Sequence, residues 1–275
     1  MDFNKIKRLI EKLGLKPVFV YLKDLYSYFF RFQKVTRDGL KFKLDLHEVI
    51  DRGIFFGGWE PESIEWIKRN IKSGDIVIEV GANVGAHSLL IAKKIQPNGF
   101  VHLFEPAEYA YSKLNENLKL NPEINKNTKV YKTLLSNKSS DYKNVRIRSS
   151  WIFNKTEEIE DQMDEFLNGK SETLDNIFSR IEKLDLIKID VDGFDFKVLK
   201  GSENLIKKFK PKIFVELNDI QLKKNGDTVE DILIFLKSFG YKGMLEQNVK
   251  VENYEQVMEI IESTPTKYTN AYFDI

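Results

Sequence analysis

From Ile76 onward, short and nearly continuous apolar runs alternate with stretches in which apolar residues recur every three or four positions. The first pattern is that of a strand buried on both faces, the second that of a helix with one apolar stripe. Strands are predicted at 76–80, 100–104, 129–135, 185–191 and 212–217, and helices at 85–95, 107–120, 194–199, 203–209 and 229–239. Residues 241–245 and 268–275 are predicted to pair antiparallel as a late addition. Apolar strands separated by helices predict an α/β fold with a mostly parallel sheet, helices on both faces and an antiparallel C-terminal edge strand.

Ahead of this pattern, Leu40-Lys41-Phe42-Lys43-Leu44-Asp45-Leu46 alternates apolar and polar residues, as a half-buried strand does. Gly57-Gly58-Trp59-Glu60-Pro61 reads as a turn, and Ile64, Ile67 and Ile71 have helical spacing after it. Residues 1–72 are therefore expected to cap a core domain of 73–275. The polar stretch 136–172, with Trp151 and Phe153 isolated in it, breaks the alternation. A loop of that length inside a domain usually has a function, and short inserted strands or a lid near the site are expected. A surface loop without structure is the alternative.

Composition narrows the partners. The 275 residues hold 43 basic and 42 acidic side chains, a net charge of +1 that gives no basic face for nucleic acid. The chain has no Cys, which excludes disulfides, thiol catalysis and thiolate zinc sites. The start, Met1-Asp2-Phe3-Asn4-Lys5-Ile6-Lys7-Arg8, lacks a secretory signal, so a cytoplasmic location is expected. Phe19, Tyr21, Tyr26, Tyr28, Phe29, Phe30 and Phe32 make 18–32 strongly aromatic, but Lys23, Asp24 and Arg31 interrupt it too often for a membrane span. An amphipathic helix docked on the core is expected there, with a homodimer face or peripheral membrane contact as alternatives.

The densest chemical signal is Val77-Ile78-Glu79-Val80-Gly81-Ala82-Asn83-Val84-Gly85-Ala86-His87-Ser88, a strand, a tight turn and the first turn of a helix. Glycines let backbone approach a ligand closely, and the helix start adds free N–H groups. A dinucleotide fingerprint needs G-x-G-x-x-G, yet positions 83 and 86 are Asn and Ala; a P-loop needs G-K-[ST], yet Gly85 precedes Ala86-His87. The acid-ended strand followed by G-x-N-x-G resembles instead the S-adenosylmethionine loop of Rossmann-like methyltransferases, with Glu79 near the cofactor's cationic amino-acid end. Glu105 closes the next strand in Phe104-Glu105-Pro106, where nucleoside-binding βαβ units place a carboxylate for the ribose hydroxyls. Asp190, Asp192 and Asp195 follow one apolar strand, and Glu216 ends another in Val215-Glu216-Leu217-Asn218. Carboxylates at 79, 105, 190 and 216 thus converge on one sheet edge, where open α/β sheets bind ligands.

Together these motifs resemble the FkbM family of S-adenosylmethionine-dependent methyltransferases. The likeness runs from Gly39 to Asn218 through Leu44-Asp45-Leu46 with Asp51-Arg52, Gly58-Trp59-Glu60, the Gly81 loop, Phe104-Glu105-Pro106, Thr173-Leu174-Asp175 and Ile187-Lys188-Ile189-Asp190-Val191-Asp192-Gly193. The family usually has Asp where this chain has Glu79, and Glu at Asp192 and Asp195; its small-residue stretch finds only Ser149-Ser150-Trp151 here. The resemblance implies a class I methyltransferase sheet and methyl transfer, commonly to an oxygen of a sugar, glycan or other small molecule. It implies a cofactor site of Glu79, Gly81, Asn83, Gly85, Glu105, Pro106, Ser136 and Asp190. Asp190 is the first candidate for a base that removes the acceptor proton; otherwise it holds the following turn. His87 faces the acceptor or is a packed histidine; His47 and His102 show no partners, and His102, within the second strand, is expected to be structural. A magnesium site from Asp190, Glu216 and Asn218 is a competing mechanism, and a cofactor-binding module without turnover is a competing function.

Overall fold

The computed structural model describes residues 16–148 and 164–275. Helix α1 (Lys16–Phe29) leads into a hairpin of β1 (Phe32–Arg37) and β2 (Leu40–Asp45), followed by α2 (Val49–Phe56) and α3 (Pro61–Asn70). The central unit then runs β3 (Ile76–Val80), α4 (Ser88–Lys94), β4 (Phe100–Phe104), α5 (Glu108–Lys119), α6 (Pro122–Asn125) and β5 (Thr128–Tyr131). A second hairpin, β6 (Ser140–Arg148) and β7 (Asp164–Ser171), precedes α7 (Leu174–Ile177) and β8 (Leu186–Ile189). The chain ends with α8 (Asp195–Lys200), α9 (Glu203–Phe209), β9 (Lys212–Leu217), α10 (Asp219–Lys224), α11 (Val229–Ser238), β10 (Lys242–Leu245), α12 (Tyr254–Ser263) and β11 (Thr269–Asp274).

Seven strands form the main sheet in the order β10-β11-β9-β8-β3-β4-β5. All run parallel except β11, which pairs antiparallel with both β9 and β10 and so lies one strand in from the edge. The chain winds outward from β3 in one direction to β4 and β5, then returns to place β8 on its other side. The strand order therefore reverses between β3 and β8, and a crevice opens beyond their C-terminal ends.

Alternation along the strands divides the core in two. Ile78, Ile187 and Val215 face a cluster with Val198, Ile206, Ile232 and Val257, which lie on α8, α9, α11 and α12. Val77, Val101 and Phe214 face the other way, against Leu89 and Leu114 of α4 and α5 and against Leu40, Phe42, Ile54 and Ile67 of the N-terminal elements. Two buried amides fix this second layer. Asn117 Oδ1 accepts from Lys43 N at 2.8 Å and Asn121 Oδ1 from Lys41 N at 2.8 Å, so α5 and the turn after it satisfy the outer edge of β2. Asn117 Nδ2 also donates to Val84 O at 3.0 Å, in the turn after β3.

Several expectations are corrected. The aromatic segment forms a helix only to Phe29, and Phe32 begins β1. Tyr26 of α1 stacks on Phe55 at 5.6 Å, while Tyr21, Tyr28, Phe29, Phe30 and Phe32 stay exposed. Among the described residues no helix is long and apolar enough to cross a membrane. The third core strand stops at Tyr131, and beyond it Leu135 forms only a single bridge with Glu172. The polar stretch builds the β6–β7 hairpin; Ser149, Ser150, Trp151 and Phe153 lie outside the described residues.

Candidate functional site

The turn after β3 is shaped by what lies beneath it. Gly81 has φ 85°, and a Cβ there would sit 1.8 Å from the carbonyl oxygen of Asp190. Only glycine permits that approach, and with it the contact between the two strands at the reversal point. Gly81 N and Ala82 N both donate to Phe104 O at 3.0 Å, which straps the turn to the end of β4. Asn83 also has positive φ, at 46°, and Gly85 has φ 92° where a Cβ would meet Leu114 Cδ1 at 2.8 Å.

Glu105 completes the strap. Its Oε2 accepts from Asn83 N at 2.8 Å and its Oε1 from Ala107 N at 2.9 Å. A carboxylate has about four lone-pair positions, so two remain for a ligand's hydroxyls. The group is 6% exposed, and burial pushes its pKa up to about 7 against the pull of the two N–H donors. Pro106 stands between these contacts. Ala107 offers no side chain to cap α5; Glu165 of β7 does so from outside, accepting from Glu108 N at 2.7 Å and Tyr109 N at 3.0 Å. The hairpin is thereby anchored next to Glu105.

On the other side of the reversal point, Lys188 is 1% exposed within β8. Its ammonium lies 3.1 Å from Asp190 Oδ2 and 3.5 Å from Glu79 Oε1, and it faces the Phe214 ring at 5.2 Å. The neighbouring carboxylates raise the Lys188 pKa despite burial, so it is a fixed cation. Glu79 is sealed behind it, its carboxyl pushed up by burial, while the Asp190 side chain is 30% exposed and faces the crevice rim. Asp195 turns back to accept from Val191 N at 3.2 Å and Gly193 N at 3.0 Å, shaping the turn after Asp190. Burial, then Asp190, pushes the Asp195 carboxyl up to about 7.

Further polar groups close the crevice beside β9. His87, at the start of α4, is buried, with Nε2 3.6 Å from Glu60 Oε2. Burial, then Lys188, holds it well below its usual pKa, so it is neutral. Glu60 is pushed up to about 7 by burial and then by Asp190. Glu216 is pushed well above its usual range by burial and then by Asp190, Asp195, Asp192 and Glu60.

The structure thus brings Gly81, Asn83, Gly85, Glu105, Pro106, Asp190 and His87 to one crevice, with Glu79 one layer below. The carbonyl oxygen of Ser136 packs against Gly201 at the end of α8, 2.2 Å from where a Cβ would be. His102 bonds the Tyr131 hydroxyl at 3.0 Å under Phe178 and serves packing. Sequence assigns no role to Glu60 or Lys188, though both stand in the motifs that carry the resemblance, and does not single out Asn270. Lys188 did leave a signal, a lone cation in an otherwise apolar strand. Among the described residues no group of three or more His, Cys, Asp or Glu is placed to hold a metal ion.

Comparison with known proteins gives a family match to the methyltransferase FkbM domain over residues 79–242. The chain is 26% identical over 162 residues to methyltransferase sdnD of Sordaria araneosa, covering 48% of this chain and 62% of that protein. Among solved structures it is similar to a methyltransferase FkbM from Methylobacillus flagellatus KT, at 13% identity and TM-score 0.47, over 82% of this chain and 52% of that one. It is also similar to TYW2 of M. jannaschii, solved with AdoMet, at 16% identity and TM-score 0.45, over 89% and 84% of the two chains.

Proposed function

The chain belongs to the FkbM domain family of S-adenosylmethionine-dependent methyltransferases, and from that premise we propose that it transfers a methyl group to a hydroxyl oxygen of a sugar, glycan or other small molecule. The observation that carries the reading is the Gly81 turn, closed onto the Asp190 carbonyl and strapped to Glu105 at the sheet's reversal point. The residues present suit the cofactor. Without side chains at Gly81 and Gly85 the turn closes tightly onto Asp190 and Leu114, Glu105 keeps lone pairs for a ribose diol, and an acidic crevice suits a sulfonium.

S-adenosylmethionine, when bound, supplies a methyl group on a positively charged sulfur. The chain's own work is alignment and proton handling. Gly81, Asn83, Gly85 and Glu105 hold the donor's position, and Pro106 fixes where β4 ends. Asp190 presents its carboxylate at the crevice rim and takes the hydroxyl proton as the oxygen is methylated. Lys188 locks the orientation of Asp190 from below by pairing with its Oδ2.

Calorimetry tests the cofactor half: S-adenosylhomocysteine binds and NAD does not, and the reverse result removes the reading. Mass spectrometry of candidate hydroxylated acceptors incubated with labelled cofactor tests the transfer. Loss of turnover in EDTA with recovery on Mg²⁺ would replace Asp190 by a metal as the agent of deprotonation.

A further inference from the structure

The donor loop and Asp190 leave a group of buried polar side chains unused on the β9–β11 side of the crevice. Glu60 sits in a left-handed turn, φ 34°, directly before α3, and its Oε2 is 3.4 Å from Asn270 Nδ2. That same Nδ2 lies 3.1 Å from Ser63 Oγ and 3.4 Å from Glu246 Oε2, so two hydrogens serve three acceptors. Glu216 pairs with Asn270 in the β9–β11 register and is 9% exposed. Its closest donor among the described contacts is Asn218 Nδ2, at 3.5 Å. His87 is 5% exposed, and its Nε2, pointing toward Glu60, has no hydrogen-bond partner. Lys188 is the cation whose field reaches Glu60, but its ammonium is committed to Asp190 and Glu79. The cluster therefore has more acceptors than its own donors satisfy and, once its carboxyls ionise, more negative charge than they balance; buried groups of this kind require a partner.

We propose that Glu60, Glu216 and the unpartnered Nε2 of His87 form the acceptor subsite, and that it takes a hydroxylated acceptor bearing a primary ammonium group, as an amino sugar does. The proposal rests on the methyl-transfer reading and names its substrate class. An ammonium brings three donors and no acceptor, which answers two carboxylates and one imidazole nitrogen. It also supplies the positive charge that the cluster lacks, whereas a neutral sugar supplies hydrogen bonds alone. A phosphate or carboxylate on the same part of the acceptor would meet only like charge. Asp190 acts electrostatically on both Glu60 and Glu216, so a hydroxyl near the held ammonium falls within its neighbourhood.

The test uses the whole protein saturated with S-adenosylhomocysteine, whose binding reports on the methyltransferase reading separately. D-glucosamine is titrated at about pH 7, with D-glucose and D-glucose 6-phosphate as neutral and anionic counterparts, and binding is followed by ligand-observed NMR. Glucosamine is expected to bind about tenfold or more tightly than glucose, as one charge-assisted contact gives, and glucose 6-phosphate more weakly than either. Glu216→Gln and Glu60→Gln should each shrink the preference of glucosamine over glucose. Equal affinities, a preference for the phosphate, or no glucosamine binding to protein that does bind S-adenosylhomocysteine each overturns the proposal.

Discussion

Glu105 commits one carboxylate oxygen to each side of the crevice mouth, Asn83 N on the turn and Ala107 N at the start of α5. Replacing it with Ala removes both straps and the ribose acceptor together. Hydrogen bonds to a charged group contribute about 1.5–3 kcal/mol, so calorimetry on a folded Glu105→Ala protein should show S-adenosylhomocysteine affinity lower by about ten- to a hundredfold. An unchanged dissociation constant would take the ribose from Glu105. The carboxyls also predict a pH response. Glu60, Glu105 and Asp195 keep their protons up to about pH 7 in the fold, against ordinary values of 4.5, 4.5 and 3.8. The unfolded chain releases these protons first, so their contribution to stability falls as pH rises from about 4 to about 7. A cationic ligand favours their ionised forms, so S-adenosylmethionine binding should release protons below about pH 7 and tighten as pH rises through that window. Calorimetry at about pH 6.5 in buffers of different ionisation enthalpy reads the release directly, and identical heats in all of them would count against it.

Individual elements show how far the sequence could be read. Boundaries of α9 and β9 follow from the apolar pattern alone, because both are framed by turn residues and buried by period. Helices α2, α10 and α12 escaped notice: α2 and α10 are short, and their apolar residues do not form a long stripe. The Gly81 turn and the strand-end acids were visible because glycine and buried charge are rare where they occur. Sequence does not assign Glu60 to the site, since it comes from a turn far upstream that reaches the crevice only when α3 packs on β9 and β11, where Trp66 meets Phe214 and Tyr272. Nor does sequence spacing reveal that β7 caps α5, a contact between distant elements. Glu165→Ala strips α5 of its only acceptor for Glu108 N and Tyr109 N among the described contacts. Loss of such a cap costs about 1 kcal/mol, and hydrogen exchange in β6–β7 and the first turn of α5 should quicken while the rest of the sheet is unaffected. Uniform exchange across the molecule would mean that the hairpin is held elsewhere.

At the scale of the whole molecule, the N-terminal elements and the cofactor loop meet at one side chain. Asn117, itself buried, accepts from Lys43 N and donates to Val84 O. Asn117→Ala leaves a donor and an acceptor without partners, at about 1–3 kcal/mol each. The variant should melt several degrees lower and also bind S-adenosylhomocysteine more weakly, though position 117 is not proposed to touch the ligand. Calorimetry and thermal melts on one sample check both, and a lower melting temperature with intact affinity would separate the two layers. If they are joined, the consequence reaches beyond stability. Ligand that steadies the turn must steady β2 by an equal free energy, because coupling between two sites is reciprocal. Anything that grips or pulls the β1–β2 hairpin would then change the grip on the donor. A chain trimmed to begin at Ile76 would then lose β2's hold on Asn117 and, with it, part of what steadies the turn.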